Sequence, residues 1–181
     1  MANHEVRLLP LIGKSIVVHT VTYFIMGVLA STILDYKSMF ASPHMACWMR
    51  QFPDPLIAAG PLLQPIRGLV FALVVYTLRE VIFARKHGWL LLWWLLVALG
   101  ILSTFGPAPG SLEGLTYTTI PIRNQLVGHL EVVPQAFLFA LGLCYWVNHP
   151  EKRWFSVIMV AAFVIFSGFA ILGVLSLSAS A

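Results

Sequence analysis

From Phe155 to Leu177 the chain reads FSVIMVAAFVIFSGFAILGVLSL, 23 residues without an Asp, Glu, Lys, Arg or His. As a helix rising 1.5 Å per residue it would be about 35 Å long, enough to cross the ~30 Å hydrocarbon core of a bilayer. It has no polar face to turn toward water, so lipid is its expected surroundings.

Four more apolar segments precede it: Ser15 to Leu34, Leu62 to Phe83, Gly88 to Phe105, and Ile122 to Val147. Each holds at least about 18 residues, the length a spanning helix needs. They are separated by a proline-bearing stretch from Asp35 to Pro61, by Arg85-Lys86-His87, by a Gly/Pro loop from Gly106 to Pro121, and by Asn148 to Arg153. Composition agrees: 59% of the 181 residues are hydrophobic, 10% are charged and mean hydropathy is +0.87. Soluble domains carry about a quarter charged residues. The expected fold is therefore all-α, an integral membrane bundle of five transmembrane helices forming one domain over residues 1–181.

The net charge of +4 does not imply a nucleic-acid partner, because the cations punctuate apolar runs instead of forming a basic stripe. Arg7, Lys14, Arg79, Arg85, Lys86, Lys152 and Arg153 fall on one side of the expected bundle, against Lys37 and Arg50 on the other. The positive-inside rule then puts the amino terminus in the cytoplasm and the carboxyl terminus outside. The first segment resembles a signal peptide in its charge pattern, but its length of about 20 residues suits a retained helix. Trp89, Trp146 and Trp154 flank the short basic loops, as an interfacial aromatic belt would. Location in a cytoplasmic (inner) or plasma membrane, such as a bacterial inner membrane, follows as an expectation.

In the first external loop, Ser42-Pro43 is a helix-start pair, and Met45, Trp48, Met49 and Phe52 follow at i, i+3, i+4 and i+7. The spacing predicts a short amphipathic helix over residues 43–52 at the membrane surface. Gln64-Pro65-Ile66-Arg67 and Ile120-Pro121-Ile122-Arg123 share Pro-Ile-Arg, each opening a spanning segment, which would suit a parallel internal repeat.

Charge inside a bilayer is costly, roughly 2.5–3.5 kcal/mol per residue, so intramembrane ionisable groups are functional candidates. Arg67 falls in the outer third of the second segment, and His129 and Glu131 fall in the outer half of the fourth. Similar depths predict an Arg67–Glu131 ion pair. Asn124, Gly128, Glu131 and Gln135 step by four, three and four along one helix face, with Gln125 and His129 on the adjoining strip and Pro134 nearby. The bland alternative is that this strip only ties helices together by hydrogen bonds.

His129 and Glu131 are two residues apart and diverge by about 200° on a helix, so they do not form a metal pair by themselves. His19, about five residues from the cytoplasmic end of the first segment, is too near that end to join them. Met39, His44, Met45, Cys47 and Met49 include soft ligands suited to Cu(I), but the methionines share the apolar stripe with Trp48 and Phe52, and membrane contact is the preferred reading. No cofactor or resident metal is expected. The two cysteines, Cys47 and Cys144, do not suggest a disulfide framework. Arg79-Glu80 and Glu151-Lys152-Arg153 suit ordinary helix-end and headgroup roles.

No phosphate-cradling loop, zincin helix or nucleophile elbow is present in the sequence. The expected activity is that of a small transporter or channel-like protein, with Arg67, Asn124, Gln125, His129, Glu131 and Gln135 lining an ion or solute path. An intramembrane enzyme acting on a lipid-like substrate, with Glu131 or His129 as base and Arg67 on an anionic headgroup, is a second expectation. A structural or accessory subunit is the third. Expected partners are membrane lipids, a small solute, ion or lipid ligand, and further copies of the chain packed through Ala161, Ala162, Ser167, Gly168, Ala170 and Gly173.

Overall fold

The computed structural model describes residues 6–47 and 49–179. Its helices are α1 (Leu8–Ile33), α2 (Tyr36–Phe40), α3 (Pro55–Ala58), α4 (Gly60–Thr77), α5 (Arg79–Phe83), α6 (Gly88–Val97), α7 (Leu112–Tyr117), α8 (Ile122–Val127), α9 (His129–Asn148) and α10 (Arg153–Ala179). A π-helical segment, Ala98–Leu102, extends α6. No strand is found among the described residues.

Among the described residues four helical runs are long and apolar enough to cross a membrane: Leu8–Ile33, Gly60–Thr77, Ile122–Asn148 and Arg153–Ala179. The third expected segment, 88–105, is shorter than read from hydropathy, with ten α-helical residues and five of π-helix before Ser103. Gly106 and Pro107 follow, and neither sustains a helix. The second expected segment also divides, since Leu78 interrupts the run between α4 and α5.

Helix α1 begins well ahead of its apolar stretch. Arg7 is extended (φ −88°, ψ 143°), and Pro10 sits in the first turn, where a missing N–H costs no hydrogen bond. The added residues give α1 a length of about 39 Å and move His19 to its middle. Counted from Ser15, the same histidine falls near one end of the segment.

Helix α1 is the central element, packed against α4, α9 and α10, while α6 covers α9. Leu11, Val18, Ala72, Phe139, Ala140 and Leu143 form the most enclosed apolar centre. Small residues let α1 and α4 approach closely: the Ser15 hydroxyl donates to the Gly68 carbonyl at 2.7 Å, and a Cβ on Gly68 would lie 2.6 Å from Ile16 Cα. Helix α10 is peripheral and mostly exposed along its apolar surface, with Met159 and Ala170 buried.

Several sequence expectations are corrected. Residues 43–47 form hydrogen-bonded turns, not the first half of an amphipathic helix. The loop is instead tied locally, because the Gln51 side-chain amide donates to the Phe40 and Met49 carbonyls. Trp48, part of the expected stripe, lies outside the described residues. Trp146 is buried against its neighbours instead of exposed as a belt residue would be; its indole N–H donates to Ser156 Oγ at 2.7 Å. The two Pro-Ile-Arg triplets occupy unlike positions: Pro65 is inside α4, whereas Pro121 precedes α8 as its cap.

Candidate functional site

The polar interior is organised by α1. His19, Tyr23 and Gly27 recur every four residues and so share a face. His19 is buried, with its ring edge-on to Phe71 and Phe139 at centroid distances of 5.0 and 5.5 Å. Its Nε2 lies 3.1 Å from Gln64 Oε1 on α4.

Gln64 determines which histidine tautomer fits. The Gln64 amide nitrogen donates to the Gly60 carbonyl at 3.0 Å, which leaves Oε1, an acceptor, facing the imidazole. Neutral His19 must therefore carry its proton on Nε2 and donate it. Nδ1 is then a bare acceptor, and it is buried with no hydrogen-bond partner. The neighbouring Thr20 hydroxyl is likewise buried and unpartnered.

Toward the other end of the same face, the Glu131 carboxylate of α9 comes against Gly27, with Oε1 3.7 Å from where a Cβ would stand. The Tyr36 hydroxyl donates to Glu131 Oε2. Asp35 makes that contact reachable by adopting the left-handed conformation (φ 46°, ψ 65°), which turns the chain sharply after α1, while its carboxylate accepts from Ser38 N at 3.4 Å. Hydrogen bonding from Ser38, by its side chain first and its backbone N–H second, holds the Asp35 carboxyl below the usual carboxylate range. Burial, and secondly the bond to Glu131, push the Tyr36 phenol above its usual value.

The expected Arg67–Glu131 ion pair does not form. Among the described residues the ion pairs are Arg50–Asp54 and Arg79–Glu80. Helix α4 buries Gln64, Gly68, Ala72 and Val75. Arg67, one residue before Gly68, is rotated about 100° from that face and is exposed.

The remaining strip residues separate by role. Gln125 is buried and fully engaged: it accepts from Gly110 N at 3.2 Å and donates to Thr118 Oγ1 at 3.3 Å and the Ile120 carbonyl at 2.8 Å. It pins the loop preceding α8. Gly110 has φ +86°, and a side chain there would meet His129 Nε2 at 2.6 Å, so only glycine suits the position. His129 Nε2 is buried without a hydrogen-bond partner. Asn124 is half-buried and Gln135 is buried.

Tyr23, Gln64 and Tyr36 are not site candidates from sequence, and His19, considered there as a ligand for His129 and Glu131, is set aside as too near one end of its segment. The four-residue spacing of His19, Tyr23 and Gly27 was the available signal, obscured because the helix start was placed at Ser15.

Elsewhere, His44 and Cys47 line a cleft of about 360 Å³ with Pro107 and residues 117–120. Cys47 is exposed and Cys144 buried, and both are free thiols. Among the described residues no three His, Cys, Asp or Glu side chains converge as metal ligands. Protein-family profiles, curated proteins and solved structures yield no match to the chain. The apolar helices define the class as a helical membrane protein.

Proposed function

We propose that this chain is a small polytopic membrane transporter or channel-like protein that carries protons, or a cation linked to them, along the α1 face. The carrying observation is the buried, unpartnered Nδ1 of His19, at the middle of a membrane-length helix, with its tautomer set by Gln64. A purely structural polar contact satisfies its donors and acceptors, as Gln125 does; a bare buried acceptor suits a group that receives a proton, a water or a donor-bearing solute. Glu131, held by Tyr36, is the ionisable group nearer the turn after α1, and Tyr23 stands between it and His19. In this reading Arg67 biases the site electrostatically without pairing, and His129, Asn124 and Gln135 contribute polarity around Glu131.

The topology that fits is five spans, with Gly88–Leu102 as a short fifth crossing, the amino terminus cytoplasmic and the carboxyl terminus external. Localisation in a bacterial inner membrane and assembly as an oligomer through the exposed α10 surface belong to the same proposal.

The test is proton movement into proteoliposomes holding a trapped pH-sensitive dye under an imposed potential. Wild-type protein should exceed empty vesicles, and His19→Gln and Glu131→Gln should each lower the flux at least about tenfold while retaining the folded elution profile. Flux equal to empty vesicles, or unchanged in both variants, would sink the reading.

A further inference from the structure

We propose a second site, independent of the α1 polar face, that holds the phosphate of an anionic phospholipid headgroup. A cavity of about 150 Å³ opens where α1 begins and the α9–α10 connection passes, lined by Val6, Arg7, Pro10, Leu11, Lys14, Val147 and Pro150. Two cations therefore face one notch whose other walls are apolar.

Among the described residues neither cation has an acidic partner. The ion pairs there are Arg50–Asp54 and Arg79–Glu80, neither of which includes Arg7 or Lys14, and no acidic residue occurs in the first turn of α1. Lys14 Nζ donates to the Trp146 carbonyl at 2.9 Å and lies 5.8 Å from the Trp146 ring centre. One of its three N–H groups is thereby used, which fixes the ammonium beside the cavity and leaves two donors. Arg7 is exposed on the same notch and offers a planar fork suited to phosphate.

Depth supplies the rest of the argument. The notch joins the first turns of one membrane-length helix to the end of another, so it lies where phosphates meet acyl chains. Leu11 and Val147 suit the glycerol and upper chain, and Arg7 and Lys14 suit the phosphate. A zwitterionic lipid brings its own cation to the same place, which disfavours it against an anionic one.

The purified full chain is to be heated in mixed micelles containing phosphatidylglycerol, phosphatidylcholine or added inorganic phosphate, with lipid adducts counted by native mass spectrometry. Phosphatidylglycerol should raise Tm and remain bound, phosphatidylcholine should do neither, and Arg7→Gln should lose at least half of both effects. Arg85→Gln removes equal charge outside the notch and should keep them, and Arg7→Lys should restore part of the loss. An equal shift from inorganic phosphate, without retained lipid, would replace the lipid with free phosphate and overturn the headgroup assignment. Equal losses in Arg7→Gln and Arg85→Gln would overturn the site itself, leaving only diffuse attraction.

Discussion

The Tyr36 hydroxyl donates to the Glu131 carboxylate, and so ties the turn that follows α1 to the start of α9. A hydrogen bond to a charged group contributes about 1.5–3 kcal/mol. Tyr36→Phe should therefore speed labelling of Glu131 by a membrane-permeant carbodiimide by on the order of tenfold. Glu131→Gln should abolish the label, read by intact mass. Equal rates in wild type and Tyr36→Phe would mean that the phenol does not guard the carboxylate.

Because the folded state raises the Tyr36 pKa, folding favours the neutral phenol. Its stabilisation is fully present below the unfolded value near 10 and is lost as pH rises above it. Melting temperature measured between about pH 9 and pH 12 should fall more steeply in wild type than in Tyr36→Phe. Parallel curves would remove Tyr36 from the alkaline transition.

Gly68 has no room for a side chain against the α1 backbone, while nothing lies within 4 Å of a Cβ on Gly168. Gly68→Ala should cost about 1–3 kcal/mol, despite the better helix propensity of alanine. Gly168→Ala should be neutral or slightly stabilising. Thermal unfolding of the two in the same detergent provides the comparison.

Gln125→Ala would strip three hydrogen bonds from the loop before α8 and leave the buried Gly110 N–H unpaired. A loss of about 1–3 kcal/mol is expected. Limited proteolysis should then cut within residues 106–121 before it cuts elsewhere, and proton flux should change less than in His19→Gln.

Polarity along α8 and α9 was legible because Asn124, Glu131 and Gln135 follow helical spacing, and the structure keeps both helices in one run across the turn at Gly128. Their partners were not legible. Similar depth suggested Arg67 for Glu131, but depth fixes only one coordinate of a helical residue; rotation about the axis decides whether two side chains meet. Arg67 misses Glu131 because Gly68, its neighbour, is the position that faces α1. Tyr36 reaches Glu131 only because Asp35 reverses the chain in the left-handed conformation, a local geometry that hydropathy does not encode.

By itself, the sequence determined that this is a helical membrane protein, since transfer of long apolar segments out of water depends on composition and length alone. The tertiary structure decided which polar groups are spent and which are left bare. Gln125 is consumed by a loop, Gln64 orients His19, and the Nδ1 of His19 stays unpartnered. Those outcomes depend on helix starts, rotations and the close α1–α4 approach through Ser15 and Gly68, which arise from packing between segments distant in sequence.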